Sequence, residues 1–308
     1  MYDYCVCGLI IVSEIDLPGL ISTRLGEKPP DVTIRRAPLP QELDDSVAAG
    51  PNWQISGTRL LLRIPGIARF LVSEGKAIVF EAEGNTLPEE IASFLVGSVF
   101  AVLLHQRRQI VIRASAVRVG DKAILFCGPS GTGKSTIAAA LGRRGYPLLN
   151  DDLCTIDLDP AGTPFVHSDR HRLTLWIDAI RYLDLTDRKG SALRSILDKF
   201  YVEPHGMCSE PLQLGAVYTL RETRAPFYDG IECPNAIDMT LLIHQSAYHP
   251  RMVTAMQQQP RYFLSAAKIA DAAGVFYLTR PHDFARMTTV IGWLEEHWRT
   301  TGLLGASS

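Results

Sequence analysis

The first part of the chain alternates short apolar runs with turn residues. Residues 1 to about 87 contain the runs YCVCGLIIV, DVTIRRA, NWQISGTRLLLRI and ARFLVSEGKAIVFEA. Alternation of this kind is typical of strands joined by tight turns, and Ser-Glu-Gly-Lys at 73–76 has the composition of a hairpin turn. We therefore predict a small β-rich domain over residues 1–87, built as an antiparallel sheet.

The pattern becomes helical at Pro88. Pro88-Glu89-Glu90 places a proline and two acids at a helix start, and the apolar run that follows ends at His-Gln-Arg-Arg. Acids in the first turn and bases in the last complement the helix dipole. The apolar run is about 14 residues, which is short for a bilayer span. We predict a buried connecting helix over residues 88–107.

Residues 108–308 alternate strands and helices. IVIRASAVRV and AILFC predict two strands around a GDK turn, STIAAALGRRG a helix and YPLLNDDLCTIDLD a return strand. Further along, Pro260 begins a predicted helix, GVFYLTR is a strand and Pro281 begins a closing helix. This alternation indicates an α/β core with at least partly parallel strands. The polar segment 186–212 predicts a mobile flap, helical only between residues 192 and 201.

Charge and cysteine content narrow the class of protein. The 308 residues carry 31 basic and 33 acidic side chains, a net charge of −2, so no global field attracts nucleic acid or an anionic membrane. The 6 cysteines show no paired Cys-x-x-Cys spacing, and the first residues do not resemble a secretion signal. We expect reduced thiols and a cytoplasmic protein that recognises its partners locally.

The segment CGPSGTGKST at residues 127–136 carries the most specific chemistry. Gly128-x4-Gly133-Lys134-Ser135 matches the P-loop pattern, with an apolar strand before it and a helix after it. Its glycines let successive backbone N–H groups point into one concavity, while Lys134 reaches the β- and γ-phosphates and Ser135 binds Mg²⁺. The predicted nucleotide-binding residues are Gly128, Ser130, Gly131, Thr132, Gly133, Lys134, Ser135 and Thr136.

An acidic pair, Asp151-Asp152, ends the return strand seventeen residues after Lys134. One helix and a short turn would bring that strand back beside the strand that precedes the loop, so the pair would face the γ-phosphate. Because adjacent side chains on a strand point to opposite sides, we expect one aspartate to face metal and the other the acceptor. A turn or helix cap is the alternative for an Asp-Asp pair.

The P-loop, the helix after it, Arg144-Gly145 and Leu-Leu-Asn-Asp-Asp at 148–152 resemble the core of the HPr kinase/phosphorylase family, whose nucleotide fold is related to phosphoenolpyruvate carboxykinase. The resemblance implies an α/β P-loop kinase core that uses ATP and Mg²⁺, and an assembly of subunits. It also implies that Asp151 is the base that prepares an acceptor serine and that Asp152, with Ser135, holds Mg²⁺. The resemblance is close over about residues 108–160 and weak elsewhere.

Three positions depart from the regulatory kinases of that family. Arg113 stands where they carry a histidine before the loop, Thr136 where they carry an acid, and Arg172-Leu-Thr-Leu-Trp-Ile-Asp178 where they carry a Glu-Ile-Arg-Gly motif. Arg113 could steer Asp151 or hold a phosphate, or it could be an arginine at a strand edge. The related kinases also place basic residues near the transferring phosphoryl group, which makes Lys199 a candidate; a solvated lysine is the alternative.

The pattern of the whole chain is similar to the HPr-kinase-like proteins of lasso-peptide biosynthesis. The similarity rests on Ile-Pro-Gly-Ile-Ala-Arg-Phe-Leu-Val, Leu-Leu-His-Gln-Arg and Arg-Ala-Ser-Ala-Val, all before the P-loop. That family phosphorylates the C-terminal serine of a precursor peptide. The leading hypothesis is therefore an ATP-dependent serine kinase acting on a short peptide or small protein. Its candidate catalytic residues are Asp151, Lys134, Lys199 and Arg113.

Two alternatives remain open, a regulatory kinase of an HPr-type carrier protein and a nucleotide-dependent peptide-binding protein without catalysis. A transporter ATPase is disfavoured, because no LSGGQ-like segment and no strand ending in Asp-Glu follows the loop. His167 and His171 are four residues apart, but the proline before them and the strand-like LTLW after them argue against a helical metal site. Trp176 follows Leu173 and Leu175 and is expected in the core.

Overall fold

The computed structural model describes residues 1–24, 29–168, 172–194 and 197–304. Within these ranges the chain is a mixed α/β protein with three sheets. The strands are β1 (Tyr2–Val6), β2 (Leu9–Ser13), β3 (Ile21–Ser22), β4 (Val32–Arg36), β5 (Ala48–Gly50), β6 (Trp53–Ser56), β7 (Arg59–Ile64), β8 (Ala68–Ser73), β9 (Ala77–Ala82), β10 (Ile110–Ile112), β11 (Ala114–Val119), β12 (Lys122–Cys127), β13 (Leu148–Asn150), β14 (Cys154–Leu158), β15 (Pro164–Val166), β16 (Leu173–Trp176), β17 (Lys189–Ala192), β18 (Lys199–Val202), β19 (Leu212–Glu222), β20 (Gly230–Glu232) and β21 (Gly274–Arg280). The helices are α1 (Pro88–Phe94), α2 (Phe100–Gln106), α3 (Lys134–Arg143), α4 (Ile177–Tyr182), α5 (Ala236–Gln245), α6 (Pro250–Ala255), α7 (Gln259–Ala272) and α8 (Met287–Thr300), with a π-helical turn at Leu95–Val99 and 3₁₀ turns at Thr186–Arg188 and Phe284–Arg286.

The first sheet has the order β3-β1-β2-β4-β9-β8-β7-β6-β5. The hairpin turn predicted at 73–76 is confirmed, since Ser73 pairs with Ala77 and Glu74 and Gly75 both have positive φ. The prediction of a purely antiparallel sheet is wrong, because β4 runs parallel to both of its neighbours, β2 and β9. The long connections on either side of β4 permit this parallel pairing, which a two-residue hairpin could not.

The predicted connecting helix is present as α1, the π-helical turn and α2 in succession. By length and composition alone Pro88–Gln106 could cross a membrane, but 67% of its most apolar window is buried inside the protein. The helix packs on the first sheet in one hydrophobic core with Phe70, Ile78 and Phe80. Burial of the apolar run, as predicted, explains its composition. The π-helical turn was not predicted.

The second sheet has the order β10-β14-β15-β19-β12-β11-β13, and β21 joins β19 on one side and β20 on the other. Strands β12, β19 and β21 are parallel, which confirms a partly parallel core. The return strand β13 does not lie beside β12 as predicted, because the antiparallel strand β11 occupies that position and pairs with both. The ends of β12 and β13 and the start of β11 still share one edge, since Ala114 pairs with Cys127 and Ala116 with Asn150.

The third sheet, β16-β18-β17, replaces the helix predicted between residues 192 and 201. Strand β18 pairs along its whole length with β16, so that Lys199 lies opposite Trp176. Its aromatic and β-branched residues Phe200, Tyr201 and Val202 favour a strand once a partner is available. The mobility proposed for this segment remains a prediction.

Two further cores flank the second sheet. One face packs on α3 and α8 around Trp298 and Tyr218. The other face packs on α5 and α7 around Tyr262 and Ile269. Helices α5 and α6 were not predicted, whereas α7, β21 and α8 lie where the sequence placed a helix, a strand and a closing helix. This layered arrangement leaves the edge that carries the P-loop facing the connecting helix and the third sheet.

Candidate nucleotide and acceptor site

The P-loop connects β12 to α3 and has the backbone that its glycines permit. Gly128, Gly131 and Gly133 have φ values of 139°, 89° and 86°, a region that residues with a Cβ rarely adopt. A Cβ on Gly133 would also lie 2.2 Å from Nη2 of Arg280. Residues 128–133 therefore form one turn, and the predicted residues Lys134, Ser135 and Thr136 are the first three residues of α3. Such a turn with a helix N-terminus behind it is an anion-binding shape.

Lys134 lies within this loop and is 8% exposed. Its Nζ donates to the carbonyl oxygens of Gly128 at 2.9 Å and Pro129 at 2.8 Å. Burial lowers the pKa of Lys134, and the Arg113 guanidinium lowers it further, while Asp152 and Asp151 act in the opposite direction. A cation held by carbonyls at the mouth of the loop is placed to meet phosphate oxygens.

Asp151 is buried beneath the loop and is held by three residues. Its Oδ1 accepts hydrogen bonds from the hydroxyls of Ser115 at 2.6 Å and Ser135 at 2.7 Å. Its Oδ2 accepts from the backbone N of Thr174 at 2.9 Å and from the Thr174 hydroxyl at 3.1 Å. With 1% of its surface exposed, Asp151 joins the P-loop serine to β11 and β16.

Asp152 turns the other way. Its φ of 74° directs the chain out of the strand, and its side chain is 30% exposed. Oδ1 accepts a hydrogen bond from Nε of Arg113 at 3.3 Å, and Oδ2 accepts one from the hydroxyl of Tyr248 at 2.7 Å. The two aspartates thus face different surroundings, because both follow the last residue of β13 and the chain turns at Asp152.

These contacts bear on two predicted partnerships. Ser135 was expected to share Mg²⁺ with Asp152, which stays a prediction, and its hydroxyl donates to Asp151. Arg113 was expected to steer Asp151, to hold a phosphate or to lie at a strand edge, and its guanidinium contacts Asp152. The reason is the left-handed turn at Asp152, which carries that carboxylate away from the loop serine and toward the start of β11.

A cleft of about 460 Å³ opens above the P-loop; we call it the P-loop cleft. Its floor is formed by the predicted residues Ser130, Gly131, Gly133, Lys134, Ser135 and Thr136. Thr132 faces away, with its hydroxyl on the carbonyl of Pro129. The far end of the cleft is lined by Trp176, Ala179, Phe284 and Met287. The polar floor suits the phosphates of a nucleotide, and the partly apolar far end suits its base.

Trp176 was predicted in the core, and that prediction is wrong. Leu173 and Leu175 are buried at 2% and 1%, whereas Trp176 is 49% exposed and lines the P-loop cleft. Alternate residues of a strand face opposite sides, so Trp176 is out of phase with the two leucines. It lies opposite Lys199, which lines the same cleft.

A second cavity of about 210 Å³, the basic cavity, lies between the P-loop edge, the connecting helix and the first sheet. Pro18 and Gly19 of the first sheet region and the π-helical turn, through Val96, Gly97 and Ser98, form two of its walls. The charged residues that line it are Arg113, Arg172, Arg194, Lys199, Asp151 and Asp152. Four cations and two carboxylates make this cavity attractive to an anionic ligand.

The P-loop cleft and the basic cavity share one wall. Arg113, Asp152, Thr174 and Lys199 line both. Three of these four, Arg113, Asp152 and Lys199, are candidates named from the sequence, and the structure brings them together with the P-loop. Groups bound in the two cavities would both contact this wall, which includes the Asp152 carboxylate.

Four residues of the site were not predicted from the sequence: Ser115, Thr174, Tyr248 and Arg280. Ser115 stands two residues after Arg113, and that same-face spacing was an available signal. Tyr248 carried no such signal, because it lies 96 residues from Asp152 along the chain. Its contact depends on the turn after α5, an element that the pattern did not predict.

The residues present fit a nucleoside triphosphate with Mg²⁺. The Ser135 hydroxyl and the Asp151 carboxylate are adjacent hard oxygen donors, the type that Mg²⁺ prefers. No cluster of three or more His, Cys, Asp and Glu side chains suited to a metal occurs in the described ranges. His167 is paired with Asp157 at 2.7 Å, and His171 lies outside the described residues.

No protein-family model matches this chain. The ATP-dependent Clp protease ATP-binding subunit ClpX 3 of Methylococcus capsulatus is 38% identical over 77 residues, which is 24% of this chain. The chain spans 18% of the length of that curated relative. Among solved structures, the Hpr(Ser) kinase/phosphatase from Coxiella burnetii matches with a TM-score of 0.34 and 11% identity, over 62% of this chain and 98% of that one. Neither match carries an argument about function, which rests on the geometry.

Proposed function

We propose that this protein is an ATP-dependent serine kinase that phosphorylates the C-terminal serine of a short precursor peptide of the lasso type. The observation that carries the proposal is the position of Asp152, whose carboxylate lies where the P-loop cleft meets the basic cavity. A donor phosphate held by the loop and an acceptor hydroxyl in the basic cavity would meet beside it. A subunit assembly, implied by the family resemblance, is part of the same proposal.

Asp152 is the proposed general base. It accepts the proton of the acceptor hydroxyl, the hydroxyl oxygen attacks the γ-phosphorus, and the bond from that phosphorus to the β–γ bridging oxygen breaks as ADP leaves. Arg113 and Tyr248 fix the carboxylate through its two oxygens. Lys199 lines both cavities and adds positive charge where the transferring phosphoryl group passes.

Asp151 has a different proposed role, beside the metal. It is only 1% exposed, and its Oδ1 accepts a hydrogen bond from the hydroxyl of the loop residue Ser135, which favours a place beside the metal over the role of base. Ser135 and Asp151 would hold Mg²⁺, which neutralises charge on the phosphate oxygens when bound. This division of roles reverses the one that the family resemblance implies.

The basic cavity supports an acceptor that carries a negative charge near its hydroxyl. Arg172 and Arg194 line it, and each lies over an aromatic ring, Tyr201 at 5.7 Å and Phe94 at 5.4 Å. Cation–π contacts of this kind orient a guanidinium without neutralising it. A C-terminal serine presents its hydroxyl and an α-carboxylate close together, and this pair matches Asp152 and the two arginines.

The test compares three peptides of one sequence, incubated with purified protein and Mg²⁺-ATP. One ends in serine with a free carboxylate, one in serine amide, and one carries an additional alanine after the serine. We expect a phosphate mass increment on the first and at least about tenfold slower phosphorylation of the other two, since each moves or removes the carboxylate. Equal rates on all three would contradict the C-terminal assignment, and ATP-strengthened peptide binding without any phosphopeptide would contradict catalysis.

A further inference from the structure

Arg280 is a buried cation that lies against the P-loop. It ends strand β21 and is 5% exposed, yet it takes part in none of the ion pairs found among the described residues. A buried charge without an opposite charge is costly, because it loses the hydration that it has in water. Arg280 therefore differs from the arginines that form surface ion pairs in this protein.

The hydrogen bonds of Arg280 do not neutralise it. Nη2 donates to the carbonyl oxygen of Thr132 at 2.6 Å and Nη1 to that of Pro281 at 3.1 Å. The third nitrogen of the guanidinium, Nε, is buried without an acceptor. Burial also lowers the pKa of Arg280, against a weaker opposite influence of Glu222. Carbonyl dipoles orient the guanidinium, but the site still attracts an anion.

The position of the guanidinium identifies that anion. Arg280 lines the P-loop cleft together with Gly133 and Lys134, and its Nη2 occupies the space that a Cβ on Gly133 would need. By donating to the Thr132 carbonyl, Arg280 also fixes the turn that leads into Gly133 and α3. Planar guanidinium groups bind phosphate oxygens well.

We propose that Arg280 is a positioning residue of the phosphate site, which fixes the Thr132–Gly133 turn and adds a second buried positive charge beside Lys134 for the β- and γ-phosphates. The inference rests on the nucleotide binding in the proposed function and is independent of the acceptor. It holds for any nucleoside triphosphate or diphosphate in the P-loop cleft.

The test measures binding rather than turnover. Isothermal titration with Mg²⁺-ATP, Mg²⁺-ADP and AMP is carried out on the wild type, Arg280→Gln and Arg280→Lys. We expect Arg280→Gln to weaken Mg²⁺-ATP and Mg²⁺-ADP binding by about tenfold or more, and AMP binding by less than about twofold, because a hydrogen-bonded charge is lost only from the β and γ positions. Arg280→Lys keeps the positive charge but loses the planar guanidinium group. Its Mg²⁺-ATP affinity should therefore lie between those of the wild type and Arg280→Gln.

Arg69→Gln is the matched control. Arg69 lies on strand β8 of the first sheet, is 8% exposed, pairs with Glu81 at 2.7 Å and donates to the carbonyl oxygen of Pro40 at 2.9 Å. It lines neither the P-loop cleft nor the basic cavity, so its loss should lower the melting temperature without changing the ratio of Mg²⁺-ATP to AMP affinity.

Two outcomes would overturn the inference. Arg280→Gln could bind Mg²⁺-ATP as tightly as the wild type while melting earlier, which would make Arg280 purely structural; if that variant does not fold, unchanged affinity in Arg280→Lys decides in the same way. Alternatively, Arg69→Gln could lose as much Mg²⁺-ATP affinity as Arg280→Gln. Absence of Mg²⁺-ATP binding in the wild type would instead refute the proposed function itself, and this inference with it.

Discussion

The P-loop cleft and the basic cavity hold charge in different ways. The floor of the cleft is one contiguous turn, in which backbone amides, a helix N-terminus and the buried Lys134 provide the positive potential. The basic cavity takes its charge from long side chains on separate elements, among them Arg172 and Arg194. Backbone donors cannot be replaced by substitution, whereas side chains can. A substitution in the cleft floor therefore leaves the backbone donors in place, whereas a substitution in the basic cavity removes charge directly.

The largest expected effect comes from the wall between the two cavities. Asp152→Asn should lower the rate of phosphoryl transfer by about 10²–10⁴-fold with little change in Mg²⁺-ATP affinity, because only the proton acceptor is lost. Asp151→Asn should mainly weaken Mg²⁺-ATP binding, since it disrupts the contact with Ser135. Initial rates of phosphopeptide formation and titration calorimetry separate these effects. The reverse result, an active Asp152→Asn and an inactive Asp151→Asn with normal affinity, would restore the roles implied by the family resemblance.

The next largest effect is expected on folding stability, and it involves His105. His105 of α2 is fully buried, its Nε2 donates to the carbonyl of Tyr248 at 2.8 Å, and Nδ1 accepts from the hydroxyl of Tyr262 at 3.0 Å. Burial lowers the pKa of His105 to about 4. Below its ordinary pKa of about 6.5 the unfolded chain binds a proton that the folded chain does not, so folding stability falls as pH drops from about 6.5 to 4.

We expect His105 to account for about 3 kcal/mol of that loss. Urea unfolding at several pH values should therefore show a smaller acid loss in His105→Gln, whose amide can still donate to Tyr248, than in the wild type. An equal loss in both proteins would show that His105 is not the titrating group. Mg²⁺-ATP affinity at pH 7 should be unchanged in this variant, because His105 does not line the P-loop cleft.

A smaller effect is expected at Lys199, which lines both cavities. Lys199→Met should slow transfer by about 10²-fold, since a charge near the transferring phosphoryl group is removed, and should change peptide and nucleotide affinity much less. Lys189→Met is the matched control, because Lys189 lies on the same hairpin, 4.0 Å from the centre of the Phe200 ring, and lines neither cavity. Equal rates in the two variants would identify Lys199 as a solvated lysine.

The smallest effect is expected at the apolar end of the P-loop cleft. Trp176→Ala should weaken ATP binding by about fivefold through the loss of one aromatic contact, and Trp176→Phe much less. ATP should also quench tryptophan fluorescence in the wild type but not in Trp176→Phe. A variant of the partly buried Trp293, Trp293→Phe, should keep the quenching. Quenching that persists in Trp176→Phe would show that the nucleotide base of ATP does not contact Trp176.

The sequence predicted the P-loop half of the site because that half is local. Residues 128–136 and the strand and helix around them specify the loop directly, and the pair at 151–152 lies one helix away. The roles within that pair depended on partners from elsewhere, since Ser115, Thr174 and Tyr248 arrive by tertiary pairing that no local pattern records. The hairpin that carries Lys199 was mistaken for a helix for the same reason, because its pairing with β16 decides its conformation.

Gly19 shows what this architecture allows. It lies in the first sheet region, and a Cβ there would come within 3.2 Å of the side chain of Arg172 in the wall of the basic cavity. A substitution at Gly19, far from the P-loop along the chain, would therefore displace an arginine in the wall of the basic cavity. Under the proposed function, substitutions in the amino-terminal sheet region would change the choice of acceptor while leaving the P-loop unchanged.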